Sequence, residues 1–228
     1  MPPSSLLVFD IDGTLVTMDE ERAFAEAFEE TTGERPHMDW KRYRSCTDWG
    51  VAVELLENHL GRNPTEAEVR AALDLFVSHL RRRIADGSTP ITPVPGVVDF
   101  VRGALRDGCA VSLATGCVEI SARTKIEAIG LGDVLSDGGF GDLRFDRESL
   151  LRDGIAAAER QHGAVFPPER ICYFGDRTWD AEGARALGIH FIGVGFRPGA
   201  REELEGVGVT RIIDGYGEIA SPRECFAP

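Results

Sequence analysis

The run Leu6-Leu7-Val8-Phe9 ends abruptly in Asp10-Ile11-Asp12-Gly13-Thr14, and few folds accommodate such a junction. Four consecutive apolar residues bounded by a turn read as a strand buried on both faces, the kind found in parallel sheets. The two carboxylates then fall at its C-terminal end, where open α/β sheets bind their ligands. Acids one residue apart at the mouth of an apolar core are costly unless a cation offsets them. The pair therefore points to a magnesium site with one carboxylate left free for chemistry. The plainer alternative is a strand end followed by an acidic turn.

Further along, residues 110–114, 171–174 and 190–194 form short apolar runs with strand character, and 211–213 is a candidate last strand. Helical patterns over 96–107, 119–129 and 180–187 alternate with them. Such alternation implies an α/β fold, a parallel sheet wrapped by helices on both faces. Residues 17–89 break the rhythm, because only helical periodicities occur there. One covers 19–32 with Ala23, Phe24, Ala27 and Phe28 as its stripe, and a second covers 49–60. A third opens at Pro64-Thr65-Glu66 and carries Val69, Leu73, Phe76, Val77, Leu80 and Ile84. The expected organisation is a core of residues 1–16 and 90–228 with a helical unit, 17–89, inserted between them.

Composition narrows the partners. The chain has 228 residues, 43% of them apolar, and a net charge of −13, so a nucleic-acid backbone is not an expected ligand. No stretch approaches 18 apolar residues and no cleavable leader pattern is present, so no membrane span is expected and a cytoplasmic location is the default. The five cysteines and five histidines show no zinc spacing. An acidic protein handling an anion needs a local positive group, and Lys41 and Lys125 are the only lysines.

Two more strand ends carry polar groups. The 110–114 strand runs into Thr115-Gly116, where a hydroxyl and turn amides suit an anion. The 171–174 strand runs into Gly175-Asp176-Arg177-Thr178-Trp179-Asp180, which spaces two acids across the start of a helix. Either acid reads alternatively as a helix cap.

In order, Asp-x-Asp-Gly-Thr, a strand-end threonine, a lysine and Gly-Asp-x-x-x-Asp resemble the motifs of the haloacid dehalogenase superfamily, specifically its phosphatase-type members with a helical cap. The resemblance implies a Rossmann-like core and a mobile cap. It implies that Asp10 is the nucleophile forming an aspartyl-phosphate, and that Asp12 is the general acid and then the base. Magnesium would be held by Asp10, Asp176 and the Asp12 carbonyl, with Asp180 supporting that shell. Thr115 and Gly116 would bind the phosphoryl group of a small phosphorylated metabolite. Many relatives place a lysine before the fourth strand, but residues 141–147 contain none. Lys125 is the favoured phosphate-binding cation, with Arg144 and Arg147 as alternatives. A phosphoglucomutase-type phosphotransferase and a non-catalytic binding protein are the rival readings of the same pattern.

Overall fold

The structure, a computed structural model, describes residues 3–226, and the side chain of Lys41 lies outside that description. Strand β1 (Leu6–Phe9) is wholly buried, as its unbroken apolar run requires. After it come the short β2 (Val16–Thr17) and three helices: α1 (Glu21–Thr32), α2 (Asp48–Leu60) and α3 (Glu66–Ala85). Strand β3 (Thr92–Pro93) follows, then α4 (Val97–Arg106), β4 (Ala110–Ala114), α5 (Glu119–Ala128) and β5 (Gly138–Gly139). The chain continues through α6 (Arg147–His162), β6 (Ile171–Gly175), α7 (Thr178–Leu187), β7 (His190–Val194), α8 (Ala200–Gly206) and β8 (Ile212–Ile213).

Six strands make one parallel sheet in the order β5-β4-β1-β6-β7-β8. Strand β1 lies at its centre, with Leu6 in register with Ala110 on one side and Ile171 on the other. The order reverses between β1 and β6, which opens a crevice at their C-terminal ends. Side chains alternate across the sheet. Leu7 and Phe9 join the core beneath α4 and α5, while Leu6 and Val8 join the opposite core beneath α6 and α7. Among the described residues no helix is long and apolar enough to cross a membrane.

The inserted helices leave the sheet domain through β2 and return through β3, paired antiparallel with Val16 opposite Pro93. They have an apolar cluster of their own, centred on Phe24, Phe28, Phe76 and Leu80. Phe24 stacks on Phe28 one turn away, ring centroids 5.0 Å apart, and lies 4.7 Å from Phe76 across the α1–α3 contact. A Thr65–Glu68 capping box starts α3, and Thr47 caps α2 by accepting from the Gly50 amide.

Sequence periodicity left α6 unassigned, yet this helix is central to the site. Its inner face is built partly from small residues, Gly154, Ala157 and Ala158, so the apolar signal is weak. The small residues let the helix press onto the sheet backbone. A Cβ on Gly154 would lie 2.3 Å from the Leu113 carbonyl, and one on Gly139 would lie 2.0 Å from the Leu150 carbonyl. That close approach brings Arg147, in the first turn of α6, to the crevice.

Candidate active site

Asp10 extends the β1–β6 ladder by one bond, its amide donating to the Phe174 carbonyl at 2.9 Å. Its carboxylate is thereby set at the switch point beside Asp176, which follows β6. Gly13 makes the juxtaposition possible. It turns with φ +80°, and a Cβ there would stand 2.4 Å from Asp176 Oδ2. Gly13→Ala is therefore expected to cost both backbone strain and the Asp176 position. Turnover should fall at least about 100-fold with a lowered melting temperature, measured by steady-state rates and thermal denaturation.

Carboxylate oxygens of Asp10, Asp176 and Asp180 lie within 4.8 Å of one another, all buried. Burial pushes Asp10 up to about 7 and Asp176 up to about 6, with Arg147 opposing the shift at Asp10 and Arg177 opposing it at Asp176. Asp180 is committed to the protein: Oδ2 accepts from the Arg177 amide at 3.0 Å, and Oδ1 meets Arg147 Nε at 2.8 Å. The Tyr173 hydroxyl lies 3.0 Å from Asp180 Oδ1 and equally far from the Ala114 carbonyl, with one proton to give between them. Asp176 is different. Oδ2 is held by Arg197 Nε at 2.5 Å, whereas the buried Oδ1 has no hydrogen-bond partner. A fully buried carboxylate oxygen without a donor is suited to ligating a cation, and an all-oxygen set suits magnesium.

Arg147, Arg177 and Arg197 line the cleft, and Arg147 is the one that meets Asp10. Nη1 donates to Asp10 Oδ1 at 3.2 Å and to the Ala114 carbonyl at 3.2 Å, while Nε pairs with Asp180. Lys125 does not line the cleft. It is completely buried in α5, 2.6 Å from Asp12 Oδ2 and 2.5 Å from Glu20 Oε2. Arg144, the other alternative, is exposed and paired with Asp153 at 2.8 Å. A signal for Arg147 exists in the sequence: a basic residue just after the Asp146 cap opposes the helix dipole, so an acidic partner elsewhere is implied.

Asp10, Asp12, Thr115, Gly116 and Asp176 come together in one cleft of about 460 Å³, and Asp180 sits buried behind it. Thr115 Oγ1 accepts from the Cys117 amide at 3.3 Å, which orients the hydroxyl at the end of β4. Gly116 lets the inserted unit reach the sheet: a Cβ would lie 2.2 Å from the Cys46 carbonyl. The Asp48 amide donates to the Gly116 carbonyl at 2.8 Å, and the Asp48 carboxylate accepts from the Val118 amide at 3.0 Å. Thr47 Oγ1 donates to the Arg144 carbonyl at 2.6 Å. Residues 45–48 thus form the far wall, together with Trp40 and Val51. Sequence reading assigned no role to Glu20, Asp48 or Arg197, whose side chains meet Lys125, the Val118 amide and Asp176, each at least 21 positions away.

Comparison with known proteins agrees with this architecture. A family model for haloacid dehalogenase-like hydrolases matches residues 5–188. The phosphoglycolate phosphatase of Agrobacterium fabrum is 26% identical over 203 residues, covering 86% of this chain and 82% of that protein. Protein CbbY of Rhodobacter capsulatus is 26% identical over 199 residues, covering 82% and 83%. The crystal structure of CbbY from Rhodobacter sphaeroides in complex with phosphate shares the fold over the full length of both chains, with a TM-score of 0.72 at 21% identity. With four-fifths of its length matched by the family model and phosphatases among its relatives, this chain belongs to the haloacid dehalogenase-like hydrolases, on the phosphatase side of that family.

Proposed function

We propose that the protein is a magnesium-dependent phosphatase of a small phosphorylated metabolite, working through an aspartyl-phosphate at Asp10. The observation that carries this reading is the unpartnered, buried Asp176 Oδ1 grouped with the Asp10 carboxylate in a cleft that also holds Asp12 and Arg147. The cleft volume suits a metabolite-sized ligand. Phosphoglycolate phosphatases among the relatives, and a CbbY variant crystallised with xylulose-1,5-bisphosphate, support a small phosphate ester as the substrate class.

Asp10 and Asp176 would hold the ion together with the Asp12 carbonyl, and Asp180 would keep Arg147 and the 176–180 turn in place. When bound, magnesium supplies positive charge that keeps these carboxylates ionised and offsets the phosphate dianion. An Asp10 oxygen attacks phosphorus as the bond to the leaving oxygen breaks, and Asp12 gives that oxygen its proton. Asp12 then takes a proton from water, the water oxygen attacks phosphorus, and the bond to Asp10 breaks to release phosphate. Arg147 and Thr115 donate hydrogen bonds to the phosphoryl oxygens throughout. Catalysis is positioning plus electrostatic stabilisation of an in-line transfer.

The test is a panel of phosphorylated metabolites with magnesium, scored for phosphate release and for phosphorylation of the Asp10 peptide by mass spectrometry. Phosphate release with a labelled Asp10 peptide is expected. Transfer to a second sugar hydroxyl favours the phosphotransferase, and no turnover with no labelled peptide overturns the reading. Chelation should abolish turnover and magnesium restore it. Magnesium should also raise the melting temperature of the wild type but not of Asp176→Asn, which loses the orphan carboxylate charge.

A further inference from the structure

Lys125 has no exposed surface, and its ammonium group meets three side chains at once. Asp12 Oδ2 lies at 2.6 Å, Glu20 Oε2 at 2.5 Å and the Cys117 sulfur at 3.2 Å. Cys117 Sγ in turn donates to the same Asp12 Oδ2 at 2.9 Å. A buried ammonium needs acceptors and opposite charge: Asp12 and Cys117 accept its hydrogen bonds, and Glu20 pairs with it as a second carboxylate. The arrangement joins distant parts of the chain. Glu20 lies between β2 and α1, at the root of the inserted helices, whereas Lys125 and Cys117 come from α5 and the loop before it. Asp12 is the one member of the group with a substantially open side chain, 35% exposed at the cleft. Its Oδ2 takes both donors, and no hydrogen bond among the described residues reaches Oδ1.

We propose that Lys125 and Glu20 are positioning residues for Asp12: Glu20 anchors Lys125, and Lys125 with Cys117 clamps Oδ2 so that Oδ1 alone exchanges the proton with the leaving group. The inference rests on Asp12 being the acid–base group of the proposed reaction. It assigns Lys125 to the proton-transfer side of the site rather than to the phosphate. It also makes the seat of Asp12 depend on where the inserted helices begin. A half-open carboxylate left unclamped rotates, and general acid catalysis is lost when its geometry is lost.

The leaving group discriminates this role from a structural one. Nitrophenolate departs without being protonated, whereas an alkoxide does not. The ratio kcat/KM reports only the steps up to loss of the alcohol. For Glu20→Gln and Lys125→Met, with magnesium, kcat/KM on an alkyl phosphate should fall roughly 100-fold and on p-nitrophenyl phosphate less than about threefold. The double variant Lys125→Met/Glu20→Gln removes one charge of each sign. It should keep the circular dichroism and melting behaviour of the wild type while showing the same split between the two esters. Equal losses on both esters in the folded double variant, or no loss on the alkyl ester, overturn the proposal. A wild type silent on both esters sinks the phosphatase reading itself, and the proposal with it.

Discussion

Asp10→Asn is expected to remove turnover by at least about four orders of magnitude while leaving the protein folded. The amide is a poor nucleophile, so no phosphorylated residue forms. The fold has little reason to object. The backbone bond from residue 10 to Phe174 is untouched, and the side-chain carbonyl still accepts from Arg147. The substitution also removes a carboxylate whose burial holds its pKa near 7, and offers N–H donors to the grouped carboxylates of Asp176 and Asp180. Without magnesium the melting temperature should therefore equal or exceed that of the wild type. Phosphate release and calorimetry check the two halves separately. Activity surviving above about one part in a thousand would mean that another group attacks phosphorus.

Arg147→Met is expected to have the second-largest effect, on both activity and stability. Arg147 is 6% exposed and is the cation shared by Asp10 and Asp180. Removing it leaves two buried carboxylates with less compensation, a loss of about 3 kcal/mol in the metal-free protein. For the proposed reaction it removes a donor assigned to the phosphoryl group. The ratio kcat/KM should drop by roughly a thousand-fold, and inhibition by inorganic phosphate should weaken. Arg147→Lys should recover stability better than activity. An ammonium keeps the charge but cannot satisfy Asp10, Asp180 and the Ala114 carbonyl from separated nitrogens. If phosphate inhibition is unchanged in Arg147→Met and weakened in Lys125→Met, the phosphate cation is Lys125 after all.

The contrast between these two cations shows where sequence reasoning stopped. Lys125 drew attention because lysines are scarce and this one follows Thr115 at a plausible distance. In the structure its ammonium points to Asp12 and Glu20. Arg147 was one of two arginine alternatives, and spacing alone did not separate it from Arg144. The separation comes from where the helix starts: Asp146 caps α6, so Arg147 turns inward against the sheet while Arg144 stays in the preceding loop.

Other elements were legible for local reasons. Runs of apolar residues with no polar face read as central parallel strands, and β1, β4, β6 and β7 are such strands. Because a parallel sheet puts all its C-terminal ends on one edge, the strand ends at Asp10, Thr115 and Asp176 were already neighbours in prospect. The weakly patterned pieces escaped: α6, which packs through small residues, and the two-residue strands β2, β3 and β5, which have too few residues for any period to register.

By itself, then, the amino-acid order determined the class of fold, the strand ends that carry acids and hydroxyls, and the family those motifs resemble, since each depends on contiguous residues. Tertiary structure decided which cation meets Asp10 and which partners surround Asp12. It also decided that the inserted helices close one wall of the cleft through Gly116. Those choices turn on distances of 2.5 to 3.2 Å between groups as much as 137 positions apart. Only the packing of α5 and α6 on the sheet sets such distances.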